Sequence, residues 1–131
     1  MKPESLSEQA IQRQILDFLA VKARAGGLYF TKVPLGAMKV GNQRSVPNPM
    51  RGFPDILVCY RGRFVGIEVK HPNKSHGNPE TRTRQARVQG ELKAAGAIIL
   101  VVDSVDSVAA FFGQYDAGHG NKALDATGAV R

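Results

Sequence analysis

The sequence predicts an α/β domain in which a single mixed sheet is flanked by helices, in the order α-β-β-β-α-β-α. Two stretches with apolar residues at helical spacing each end in glycine, and strand-length apolar runs lie between and after them. A length of 131 residues suits one compact domain. At 43% hydrophobic and 22% charged, the chain has the composition of an ordinary globular protein and can bury a core without staples.

Ser5 to Ala25 forms the first predicted helix, with Ile11, Ile15, Phe18 and Leu19 on one stripe, Gly26-Gly27 as the stop, and Ser5-Leu6-Ser7-Glu8 as a capping box. Leu28 to Val33 has strand composition. Pro34 to Pro54 is crowded with prolines and glycines, lacks sustained periodicity and reads as a long loop, of the kind that is usually functional or mobile. Asp55 to Tyr60 and Phe64 to Lys70 are strands joined by a tight turn in Arg61-Gly62-Arg63. His71 to Glu80 is a second loop. A helix is expected from about Thr83 to Ala95, with Val88, Leu92 and Ala95 on its stripe and Gly96 after it. Ala97 to Val102 is continuously apolar, which predicts a strand buried on both faces. A short last helix follows through Val105, Val108, Phe111 and Phe112. The domain is thus expected over residues 1–115, with a disordered tail at 116–131.

The charge is uneven. Residues 1–50 hold seven basic and three acidic side chains, 51–100 nine and four, and 101–131 two and four, within a formal net charge of +7. The surplus fits a polyanionic partner and says nothing about sequence preference. One cysteine, Cys59, excludes an internal disulfide framework and is expected in the core; with three histidines it offers no cysteine-rich zinc cluster. The longest apolar run, Ala94 to Val102, is about half of what a membrane span needs, and a cytoplasmic protein is expected.

The chemistry concentrates in Gly52-Phe53-Pro54-Asp55 and, thirteen residues after Asp55, Glu68-Val69-Lys70. Strand alternation puts Glu68 and Lys70 on one face with Phe64 and Gly66, and Val65, Ile67 and Val69 on the other. Whether the two-residue turn is Arg61-Gly62 or Gly62-Arg63, Asp55 falls on the face of Glu68 and Lys70. Two carboxylates and the intervening Val69 carbonyl can hold a hard divalent cation, which also relieves the repulsion between the acids. Such an ion acidifies water and neutralises charge on a phosphate, and Lys70 beside it can orient or deprotonate the attacking water or stabilise developing charge. The alternative is a surface hairpin whose acidic and basic groups form an exposed ion pair.

With these motifs in this order, the chain resembles the PD-(D/E)xK nuclease superfamily and, within it, the VRR-NUC (virus-type replication-repair nuclease) domain in its small stand-alone form. The resemblance covers about residues 5–112. It implies a restriction-endonuclease-like fold and Mg²⁺- or Mn²⁺-dependent cleavage of DNA. It makes Glu8 the acidic residue of the first helix, Asp55 and Glu68 the metal-binding acids with Val69, Lys70 the catalytic lysine, and Gln85, eleven residues before Gly96, the glutamine that opens the next helix. Glu8 could equally do no more than complete its capping box, and Gln85 could be an ordinary amide at a helix start. The family usually has a helix-starting proline just before that glutamine, where this chain has Arg82-Thr83-Arg84. The resemblance further implies structure-selective cutting of branched DNA, such as four-way junctions or flaps, and a homodimer, whose two-fold symmetry suits paired cuts.

Lys39, Arg44, Arg51, Arg82, Arg84 and Arg87 are candidates for DNA phosphate contacts, each with a solvated surface charge as its alternative. His71 could touch substrate, while His76 and His119 carry no signal. No separate DNA-reading module is evident, which favours recognition of shape. The rival readings are a sequence-specific restriction-type endonuclease, a non-catalytic nucleic-acid-binding module on the same fold, and an interaction protein with an acidic partner.

Overall fold

The structure, a computed structural model, describes residues 6–42, 44–72 and 77–119. Ser5, His76 and the segment 120–131 lie outside the described residues. The elements are α1 (Glu8–Arg24), β1 (Leu28–Lys32), β2 (Met38–Val40), β3 (Arg44–Val46), β4 (Ile56–Tyr60), β5 (Arg63–Val69), α2 (Pro79–Ala94), β6 (Ile98–Val102) and α3 (Val105–His119). A four-stranded sheet runs β1-β4-β5-β6, antiparallel except for the parallel pair β5 and β6. The predicted mixed sheet flanked by helices is what the chain forms.

The core lies on one face of this sheet. Ile11, Ile15 and Leu19 of α1 and Val108, Phe112 and Tyr115 of α3 pack on Ile56, Val58, Tyr60, Val65, Ile67, Val69 and Val102. Each of these aliphatic side chains contributes roughly 1.5–3 kcal/mol through burial. The opposite face carries α2, which buries no residue completely: Val88 and Leu92 are half-buried, and Ala95, expected on the buried stripe, is exposed. Cys59 points to this thinly covered face and is exposed, contrary to the expectation of a core cysteine; Tyr60 takes the core position beside it.

Several boundaries differ from expectation for local reasons. Ser7, not Ser5, caps α1: its side chain accepts the Ala10 N–H, so Glu8 begins the helix and closes no capping box. The long loop contains a hairpin, β2 paired with β3, whose short exposed strands leave no apolar alternation in the sequence. Helix α2 starts before Thr83, with Asn78 as N-cap and Pro79 in the first turn, where a missing N–H costs nothing. Strand β6 is an edge strand of this sheet, not one buried on both faces, and Val101 is 62% exposed. Helix α3 continues past Tyr115 to His119, into the expected tail, and Asp116 accepts hydrogen bonds from the Tyr60 hydroxyl (2.6 Å) and Lys22 Nζ (3.2 Å). Although burial works against it, these donors and the nearby charges of Lys22 and Arg61 hold the Asp116 carboxyl below its ordinary range.

Gly52 fixes where α2 sits. It has φ +86°, and a Cβ there would lie 2.9 Å from Val88 Cγ2 and 3.0 Å from both Arg84 Cγ and the Arg84 carbonyl oxygen. Gly52→Ala is expected to destabilise the fold by ~1–3 kcal/mol, combining the disfavoured φ with displacement of helix backbone. Urea unfolding followed by circular dichroism checks this; a midpoint equal to wild type would contradict the close packing of Gly52 on α2.

Candidate active site

The hairpin sets the register of the acidic groups. Arg61 (φ 51°) and Gly62 (φ 83°) form the two-residue turn, pairing Tyr60 with Arg63 and, at the far end, Ile56 with Ile67. Asp55 and Glu68 therefore follow as the next opposed positions, on the face away from the α1–α3 core. Pro54 is fully buried against Gly66, where an added Cβ would come within 2.6 Å of Pro54 Cγ. The proline thus seats the chain on the neighbouring strand just before Asp55.

Asp55, Glu68, Val69, Lys70 and Gln85 line one cleft of about 200 Å³, with Glu8, Gly77 and Thr81. Asp55 Oδ2 accepts the Val69 N–H at 2.8 Å. A strand residue directs its N–H and C=O to the same side, so the Val69 carbonyl also faces the Asp55 side, beyond the last β4–β5 pair. Lys70 Nζ donates to Gln85 Oε1 at 3.0 Å and lies 3.3 Å from Glu68 Oε1. Glu8 reaches the same region, but Oε1 of its carboxylate accepts the His71 N–H at 2.9 Å, fastening α1 to the chain leaving β5. His71 itself is buried.

Burial and mutual repulsion dominate the electrostatics of the two acids. Glu68 is 2% exposed, and its Oε2 is buried with no hydrogen-bond partner among the described residues. Burial and then the Asp55 charge push its carboxyl up to about 7, against the pull of Lys70. Burial raises Asp55 too, opposed by the Val69 N–H and the charge of Lys70. The unpartnered oxygen of buried Glu68, beside the half-buried Asp55 carboxylate, fits a hard divalent cation, which Asp55, Glu68 and the Val69 carbonyl could hold. Among the described residues no three His, Cys, Asp or Glu side chains form one metal-holding group. The set here has two carboxylates and a backbone carbonyl, with Glu8 turned to the His71 N–H.

None of the six predicted DNA contacts lines this cleft. Lys39 and Arg44 lie on the β2–β3 hairpin, and Arg51 is exposed before Gly52. Arg84 and Arg87 line a separate surface cleft along α2, where Arg87 pairs loosely with Glu91; Arg82 donates to the Gly77 carbonyl. Sequence reasoning missed Gly77 and Thr81 as lining residues. The Asn78-Pro79 helix start was the available signal, since it places Thr81 and Gln85 one turn apart on the same side of α2.

No protein-family model and no curated protein matches the chain. Solved structures do. One, named "VRR_NUC domain", matches at a TM-score of 0.50 and 24% identity, covering 79% of this chain and 95% of its own. Another, named "VRR_NUC domain protein", matches at a TM-score of 0.57 and 17% identity, covering 98% of this chain and 100% of its own. The mixed sheet that sets Asp55, Glu68 and Lys70 at the open end of β4 and β5 is thus the fold of a VRR-NUC domain.

Proposed function

We propose that the protein is a Mg²⁺- or Mn²⁺-dependent deoxyribonuclease of the VRR-NUC family that hydrolyses phosphodiester bonds in branched DNA, acting as a homodimer. The observation that carries this reading is the convergence of a buried carboxylate with an unpartnered oxygen, Glu68, and a half-buried one, Asp55, on a lysine held in an open cleft.

Asp55, Glu68 and the Val69 carbonyl would hold the ion. When bound, it offsets charge on the phosphate and lowers the pKa of water. The Val69 N–H fixes the Asp55 carboxylate, so the donor set is oriented before substrate arrives. Gln85 and Glu68 hold the Lys70 ammonium at the cleft, where it orients the attacking water and donates to the phosphoryl oxygen that gains charge. Glu8 acts through the backbone, keeping the residue after Lys70 in place.

The test is a cleavage panel of single-stranded, duplex, flap and four-way-junction DNA, with Mg²⁺, Mn²⁺ or a chelator. Branched substrates should be cut in preference to a linear duplex of matched sequence, and chelation should stop cleavage. Tight binding without cleavage in either metal would make this a binding module. Cutting of the linear duplex at one sequence, as fast as the junction, would make it a restriction-type enzyme.

A further inference from the structure

Asp55 borders two clefts. Besides the catalytic one it lines a second of about 520 Å³, whose other walls include Gln9 and Gln12 of α1, Lys32 at the end of β1, and the Pro34–Gly36 turn. The two share a helix as well, since Glu8 lines the first and Gln9 and Gln12 the second. The Val33 N–H donates to the Asp55 carbonyl at 2.8 Å and Lys32 pairs with Ile56, so the end of β1 is tied to the catalytic segment.

This second cleft is shaped in advance. Asn48, 4% exposed, donates its side-chain amide to the carbonyls of Pro34 (2.6 Å) and Gly36 (3.0 Å), while its Oδ1 accepts the Met50 N–H (2.9 Å). One buried amide thereby locks the turn that forms the wall to the chain that leads into Gly52 and Asp55. The chemistry of the walls is equally particular. Among the described residues Asp55 is the only carboxylate lining them, and no carboxylate pairs with Lys32. One unpaired ammonium and two carboxamides suit a polyanionic strand that offers phosphates to a cation and sugar or base edges to amides.

We propose that this cleft is a strand-binding subsite, which takes the DNA strand flanking the scissile phosphate, with Lys32 on a neighbouring phosphate and Gln12 and Gln9 on the adjoining nucleotide. This deepens the nuclease reading and rests on it for the identity of the strand. The cleft is of ordinary ligand-pocket size. Because Asp55 is a wall of both clefts, a strand seated there is held in register with the catalytic groups.

The experiment separates binding from cleavage. Fluorescence anisotropy of a fluorescein-labelled four-way DNA junction, with Ca²⁺ replacing Mg²⁺, measures Kd across a salt series; single-turnover cleavage with Mg²⁺ measures the rate at saturation. Lys32→Ala is expected to raise Kd roughly 5–10-fold and to lower the salt slope by about one. Its saturated rate should stay within twofold, Lys32→Arg should restore binding, and Gln12→Ala should weaken binding without changing the slope. Arg24→Ala, at the far end of α1, is the control for loss of a basic charge. A Lys32→Ala protein with wild-type Kd and salt slope overturns the subsite, even when the wild type cleaves normally. Failure of the wild type to cleave, with the Lys32 effect on binding intact, overturns the nuclease reading and leaves the subsite standing.

Discussion

Lys70→Ala is expected to lower the single-turnover rate of DNA cleavage by a factor of about 10²–10⁴, with junction binding changed no more than a few-fold. That range is what positioned proton transfer or stabilisation of developing charge contributes in comparable sites. Lys70 stands 3.0 Å from Gln85 and 3.3 Å from Glu68, so its ammonium is aimed before substrate arrives. Asp55→Asn should be comparably severe, because it weakens one of the proposed metal donors while leaving an oxygen to accept the Val69 N–H. Gln85→Ala removes only the aiming contact and should cost roughly tenfold. Cleavage by Lys70→Ala within threefold of wild type would remove this lysine from the chemistry.

Glu68→Gln should abolish metal-dependent cleavage while making the metal-free protein more stable at pH 8. The Glu68 carboxyl is raised from its ordinary 4.5 to about 7, so the native state holds its proton over a pH range in which the unfolded chain has lost it. Stability present below about 4.5 is therefore lost as pH rises through about 7, and at pH 8 the buried carboxylate carries its full cost. Glutamine removes that cost, worth ~1–3 kcal/mol with the attraction of Lys70 already included in the raised value. Thermal unfolding in a chelator should show Glu68→Gln melting above wild type at pH 8, by roughly 3–10 °C, and the two converging as pH falls below about 4.5. Added Mn²⁺ should raise the wild-type midpoint at pH 8 and leave that of the variant in place. A variant that melts at or below wild type in the metal-free state at pH 8 would contradict the strained acid pair.

What could be read from the residues alone was what local geometry determines. Asp55, Glu68 and Lys70 were legible because a tight turn leaves few registers, and strand alternation then dictates the face. The first helix was legible from Ile11, Ile15 and Leu19, all of which are buried. Features set by distant partners were not. A continuous apolar run such as Ile98–Val102 does not reveal whether another strand lies beyond it, and here none does among the described residues. The length of α3 depends on Tyr60 and Lys22, which meet Asp116 only in the folded chain. Charge counting identified a basic protein, but it could not distinguish Lys32, beside Asp55, from Lys39, out on the hairpin.

Helix α2 has consequences for the order in which the site can come apart. Asp55 and Glu68 are anchored by strands whose inward residues are almost wholly buried, while Gln85 and Thr81 belong to a helix that buries nothing completely. Local opening follows burial, so the cleft joins the most protected part of the protein to one of its least protected. Fraying of α2 releases Lys70 from Gln85 while the two carboxylates stay where they are. The acid pair is thus a permanent feature of the sheet, and the aimed lysine a conditional one.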